Sequence, residues 1–88
     1  MTGAPDLVVE IESPSPRRRD ETIKRRLYER AGVLEYWFVD PEVDSVRVYQ
    51  RAGDRFAKPI EFTKEARDLL TTPLLPGLEL PLAEIFKA

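Results

Sequence analysis

Seven consecutive residues, Leu34-Glu35-Tyr36-Trp37-Phe38-Val39-Asp40, set the main limit on how this chain folds. Apolar side chains fill nearly every position, and successive side chains of a strand point to opposite faces. Such a strand needs cover on both faces, so it belongs inside a layered fold. Trp37, flanked by Tyr36, Phe38 and Val39, reads as core. Asp40-Pro41 ends the strand.

The cover must come from a short chain. At 88 residues it is expected to be one domain, 1–88. A domain of this size hides only about 60–65% of the surface its unfolded chain exposes. With 42% hydrophobic residues it should fold rather than stay disordered. It contains no cysteine and no histidine. That excludes disulfides, thiolate metal sites, cysteine nucleophiles, the Ser-His triad and the common zinc sites. Any catalysis must run on carboxylates, lysines, hydroxyls and an oxygen-binding cation such as magnesium. No apolar run approaches the roughly 20 residues that span a bilayer, and no signal-peptide core follows Met1, so no membrane partner and a cytoplasmic location are expected.

Residues 6–12, Asp-Leu-Val-Val-Glu-Ile-Glu, read as a strand. Alternation places Leu7, Val9 and Ile11 on one face and Asp6, Val8, Glu10 and Glu12 on the other. Ser13-Pro14-Ser15-Pro16 stops it. A helix follows, starting either from Ser15 with Pro16 in its first turn or from Asp20 as N-cap, and ending near Ala31. Ile23, Leu27, Ala31 and Tyr28 form its apolar stripe, and Gly32 suits the left-handed residue after it. Residues 45–51 alternate and should pair back on 34–40 as a hairpin. Gly53-Asp54 marks the next turn, into a strand over Arg55–Phe62 that Pro59 demotes to an edge or splits. Residues 63–72 are polar, a turn or a short helical piece. Leu74 to Leu80 holds a Pro-Gly turn, and Leu82 to Phe86 suits one helical turn. Strand, helix, strand and meander predict an α+β or α/β fold with a mixed sheet flanked by a helix, the first strand lying parallel to 34–40.

Three features could carry chemistry. Glu10 and Glu12 lie two apart on one strand face, about 6–7 Å between Cα atoms, as a magnesium-binding pair needs; a solvated edge-strand face would look the same. Asp6 is too far along the strand to share their ion. Lys24 flanks the helix stripe, one turn before Tyr28, and could lean over the end of the preceding strand to meet a phosphate or a water; the alternative is a snorkelling surface lysine. The net charge of −2 hides a basic stretch. Arg17, Arg18, Arg19, Lys24, Arg25, Arg26 and Arg30 stand among three acids, which suits a phosphate backbone or a solvated helix face. Arg47, Tyr49 and Arg51 share one strand face and could extend a basic, aromatic surface.

In their order, several segments resemble the Uma-type endonuclease family. They are Pro5-Asp6-Leu7-Val8-Val9-Glu10-Ile11, Ser13-Pro14-Ser15, Lys24 with Tyr28, Ala31-Gly32-Val33, Glu35-Tyr36-Trp37-Phe38-Val39-Asp40-Pro41 and Leu75-Pro76-Gly77-Leu78. The resemblance covers most of the chain. It implies a restriction-endonuclease-like core of the PD-(D/E)XK type and Mg²⁺- or Mn²⁺-dependent phosphodiester hydrolysis. By position, Glu10 matches the acid of the second half-motif. Glu12 stands where a lysine is expected, and Lys24 matches a lysine placed on the following helix. Asp6 matches a Pro-Asp at the strand start. The resemblance thus gives Glu10 and Lys24 as catalytic; the carboxylate spacing gives Glu10 and Glu12 as metal ligands, and the basic stretch gives Arg17, Arg18, Arg19 and Arg25 as nucleic-acid contacts, with DNA as the expected partner. It covers the C-terminal half of the family pattern only, the N-terminal half with its metal-binding aspartate being absent. The strand 6–12 should then seek another chain, giving a homo-oligomer or a partner that completes the sheet. Alone, the chain is expected to be an incomplete or inactive endonuclease; the alternative is a non-catalytic binding or structural remnant.

Overall fold

The computed structural model describes residues 5–11 and 18–86, the side chains of 18–21 excepted. The apolar run forms strand β2 (Glu35–Asp40), with five of its six residues buried. Beside it β1 (Leu7–Ile11) runs parallel, Leu7 opposite Glu35 and Ile11 opposite Val39. Helix α1 (Arg18–Ala31) connects the two, the length of link a parallel pair requires. Strand β3 (Ser45–Ala52) returns antiparallel to β2 as the alternation predicts. The strand expected over Arg55–Phe62 is divided at Pro59. Its first piece, β4 (Arg55–Phe56), turns back on the end of β3, and its second, β5 (Ile60–Thr63), pairs with the start of β3. Among the described residues the result is a five-stranded mixed sheet with β1 at one edge.

The two faces of the sheet are packed with different chemistry. One carries Trp37, Val39, Val46 and Val48, with Leu7 and Phe62 against them. It is covered by the chain after residue 68: the short antiparallel pair β6 (Leu69–Leu70) and β7 (Leu80–Pro81), then the helical turn α2 (Leu82–Ile85). Leu70 and Leu82 are fully buried there. Trp37 is core, as its neighbours imply. The other face is aromatic. Tyr36, Phe38 and Tyr49 form its buried centre, with Val8, Tyr28 and Phe56 packed around it. Tyr36 stacks on Tyr49 at 5.4 Å and meets Tyr28 of α1 at 5.2 Å between ring centroids.

Helix α1 ends where the glycine predicts. Gly32 takes φ +89°, its N–H bonds to the Glu29 carbonyl, and the Val33 N–H bonds to the Tyr28 carbonyl. This is a Schellman closure, in which a residue with a Cβ would be strained. The N-terminal expectation needs correction. Asp20 lies inside the helix, not at its cap, and residues 15 and 16 fall outside the described residues. The expected apolar stripe is corrected too. Ile23 and Leu27 remain 59% and 57% exposed, and the helix meets the sheet through Tyr28. The partner face explains the rotation: an aromatic floor with an acid beside it takes up the Lys24 and Tyr28 side of the helix better than an aliphatic one. On β1, Leu7 packs into the aliphatic core and Val8 against the aromatic one, while Val9 and Ile11 are 48% and 70% exposed.

One buried polar cluster was not expected. Glu35 is 2% exposed, on the face opposite α1. Its carboxyl group accepts hydrogen bonds from Trp37 Nε1 at 2.7 Å, Thr72 Oγ1 at 2.8 Å and Gln50 Nε2 at 3.3 Å. Buried polar atoms persist only when partnered, so this acid ties the segment after β6 to the centre of the sheet. Glu35→Ala leaves three donors without their acceptor and should destabilise the fold by about 3 kcal/mol, Thr72→Val by about 1 kcal/mol. Urea denaturation measures both; an unchanged midpoint in Glu35→Ala would remove the cluster from the account.

Candidate active site

Glu10 sits on the aromatic face, where the β1 register sets it opposite Phe38. Helix α1 crosses this face, and residues four apart on a helix project from the same side. Lys24 and Tyr28 are such a pair, and both reach Glu10. Lys24 Nζ donates to Glu10 Oε1 at 3.0 Å, and the Tyr28 hydroxyl donates to Glu10 Oε2. Each carboxylate oxygen is thereby held by a different side chain of the same helix. The acid and the amine, 14 residues apart in the chain, meet at one contact between sheet and helix. It is open to solvent, since the Lys24 and Glu10 side chains keep 38% and 26% of their surface exposed.

The electrostatics follow from these contacts. The Tyr28 hydroxyl, above all, holds the Glu10 carboxyl below the usual carboxylate range; burial opposes this, and the Lys24 ammonium adds to it. The same bond, with burial and the Glu10 charge, pushes the Tyr28 hydroxyl up to about 12. At neutral pH the site therefore holds an ionised acid and a protonated phenol. A carboxylate offers about four lone-pair positions, so two donors leave room for a cation or a further hydrogen bond.

The other expected site residues are less assembled. Glu12 and Arg17 lie outside the described residues, and Arg18 and Arg19 are described only as backbone in the first turn of α1. Arg25 packs over the Tyr49 ring, its guanidinium carbon 5.6 Å from the centroid. Asp6 is exposed at the start of β1. Arg51 does not extend a binding surface. It donates from Nε to the Val33 carbonyl at 3.0 Å and also reaches the carbonyls of Glu29 and Gly53, tying the end of α1 to β3. The Phe56 N–H donates to Glu29 Oε2 at 2.7 Å and fixes the same helix end to β4. Among the described residues, no group of three or more acidic side chains is placed to hold a metal ion. The residue missed from sequence was Tyr28 in its polar role. Its signal was the four-residue spacing from Lys24, which places two polar tips on one helix side.

The Glu10–Tyr28 bond gives a pH signature. A lowered acid adds stability above its ordinary 4.5 that is lost as pH falls through its folded value. A raised phenol adds stability below its ordinary 10 that is lost as pH rises through about 12. These are two ends of one interaction and are counted once. The urea midpoint of the wild type should exceed that of Tyr28→Phe between about pH 5 and pH 10, with the difference shrinking on both sides. A difference that stays flat from acid to alkaline pH would contradict the assigned bond.

The comparisons with known proteins bear on the family and the fold. No curated protein matches the chain. Among solved structures, a putative nuclease of the DUF820 group from Anabaena variabilis superposes with a TM-score of 0.77 at 26% identity. The match covers 97% of this chain and 45% of that one, so the chain spans under half the length of that nuclease. The pattern of the Uma2 family, described as a putative restriction endonuclease, is matched over residues 1–83. That match takes in most of the chain, so the chain belongs to the Uma2 family.

Proposed function

We propose that this chain carries the acid and amine of a metal-dependent nuclease site that cleaves phosphodiesters, with DNA as the substrate. The observation that carries the reading is the 3.0 Å contact between Glu10 and Lys24 on the open side of the sheet, in a member of a nuclease family. Magnesium and manganese bind through one or two carboxylates, waters and substrate phosphate oxygens. Glu10, ionised and with lone pairs to spare, fits as one such ligand. Glu12 is the second ligand in this reading and lies outside the described residues. The ion supplies charge neutralisation at the phosphate and a more acidic water. Lys24, on the same carboxylate, donates to the attacking water or to a phosphate oxygen where negative charge grows. Tyr28 holds the second carboxylate oxygen and so fixes the plane of the acid. Arg17, Arg18, Arg19 and Arg25 hold the nucleic-acid backbone in this reading.

A second chain along β1 belongs to the same proposal. Among the described residues, β1 pairs on one side only, and Val9 and Ile11 are exposed beside its open edge. Open, apolar edge strands recruit another strand. We therefore assign the active form to an assembly, either a homo-oligomer or a complex with a partner chain that extends the sheet. The second reading, which the open β1 edge also suits, is a non-catalytic binding or structural remnant that works only within such an assembly.

Two experiments test this. Supercoiled plasmid should be nicked with Mg²⁺ or Mn²⁺, and Glu10→Ala and Lys24→Ala should each lose about a hundredfold or more. Activity equal to wild type in both variants contradicts the assignment, and salt-dependent binding without nicking selects the second reading. Light scattering coupled to gel filtration should give a dimer or larger species; a clean monomer at high concentration contradicts self-assembly.

A further inference from the structure

The contacts of α1 identify which of its flanks overhangs the open side of β1. Successive helical residues turn by about 100°. Taken in angular order, Glu29 bonds to β4, Arg25 lies over Tyr49 of β3, Tyr28 meets Tyr36 of β2 and Glu10 of β1, and Lys24 meets Glu10. The next positions in the same direction are Leu27 and Ile23, both exposed. Each step has moved toward the edge strand, so these two lie on the side of α1 beyond β1. On the other face of the sheet, the exposed Val9 and Ile11 stand at the same edge. Four apolar side chains thus border, from both faces, a strand that pairs on one side only among the described residues. The backbone of that strand has a direction too. The Glu35 N–H bonds to the Asp6 carbonyl, so the even-numbered residues of β1 turn their backbone groups to β2, and Leu7, Val9 and Ile11 turn theirs outward.

We propose that the β1 edge is a homodimer interface, where a second copy adds its own β1 antiparallel about a two-fold axis at Val9. This rests on the assembly in the reading above and commits it to one partner. The register is self-complementary. Val9 faces its counterpart and Leu7 faces Ile11 of the second copy, so the three residues with outward backbone groups form the hydrogen-bonded pairs. The same pairing covers Val9 and Ile11 with apolar side chains, and Glu10 comes opposite Val8. An axis at residue 10 would set the two Glu10 carboxylates against each other. An axis at residue 8 would set Ile11 against Pro5, which has no N–H to give. The axis stands perpendicular to the sheet, so both helices stay on one face and run antiparallel. Glu10, which Lys24 and Tyr28 both reach, is one residue from the axis, so the axis meets α1 near the middle of its exposed flank. Ile23 then comes beside Leu27 of the second copy. The helical period puts Asp20 and Arg30 at the two ends of that flank, and the antiparallel pairing brings these positions of opposite charge together. One patch is used twice, and the strand edge is closed.

The chain contains no cysteine, so single cysteines in the full chain report the register. Under mild oxidation Val9→Cys should cross-link to itself, because opposed hydrogen-bonded residues lie about 5.5 Å apart at Cα, within disulfide reach. Ile11→Cys should not, since its two copies stand about 14 Å apart across the axis. Sedimentation equilibrium of the wild type should give a dimer. Leu27→Glu, which leaves the strand untouched and changes a residue exposed in the single chain, should weaken that dimer about tenfold or more. Circular dichroism of each variant checks that the fold is kept. A wild type that stays monomeric at its highest soluble concentration overturns the interface and leaves the edge to a partner of different sequence or to solvent; plasmid nicking by that monomer would keep the nuclease reading. A dimer in which Ile11→Cys cross-links as readily as Val9→Cys, or which Leu27→Glu leaves unchanged, overturns this face while self-assembly stands.

Discussion

The Glu10 carboxylate is the point at which sheet and helix are joined by polar chemistry. Lys24 takes one oxygen and Tyr28 the other, from two successive turns of α1. Among the described residues, the Tyr28 ring, Arg25 over Tyr49 and the anchors at the C-terminal end share in setting the helix's rotation on the sheet. The strength of the ion pair does not explain its presence: partly exposed pairs contribute about 0–1 kcal/mol. What the pair supplies is placement, an acid, an amine and a phenol on one open side of an aromatic floor.

The two faces of the sheet divide the work. The face under β6, β7 and α2 is closed, built from Trp37, Val39, Val46, Val48, Leu70 and Leu82, with Glu35 as a fully partnered acid within it. The α1 face has Tyr36, Phe38 and Tyr49 as its buried centre, with Tyr28 and Phe56 packed around them, and its polar margin carries Glu10, Lys24 and Arg25. Both acids sit within hydrophobic strands, yet they differ in access. Glu35 is sealed by side chains of its own chain, whereas Glu10 keeps a quarter of its side-chain surface in solvent. A ligand-facing role suits the second and not the first. Arg51 and Glu29 hold the C-terminal end of α1 against β3 and β4.

Much of the fold was legible because short-range rules fix it. Alternation located β1 and β3, the unbroken apolar run located β2, Gly32 ended α1, and Pro59 divided the last strand of the meander. Helix rotation was not legible. The Ile23 and Leu27 stripe looks like a buried face, but which side of a helix packs depends on the surface it meets, and that surface is aromatic with an acid at its margin. In the site, Glu10 and Lys24 were named from the residues and the family resemblance together. The polar role of Tyr28 needed the helix rotation, which no local pattern contains. Glu35 carried one signal, a lone acid in an apolar strand, but its partner Thr72 is 37 residues away.

The central claim is that Glu10, oriented by Lys24 and Tyr28, is the cation-binding acid of this fold. Crystals of the chain soaked in Mn²⁺, with anomalous scattering recorded, test it most directly. The account predicts an anomalous peak at the Glu10 carboxylate, with Lys24 on the same side of the sheet and the peak lost in Glu10→Ala. Manganese bound elsewhere, or none at all while Lys24 and Tyr28 still hold both Glu10 oxygens, would contradict it.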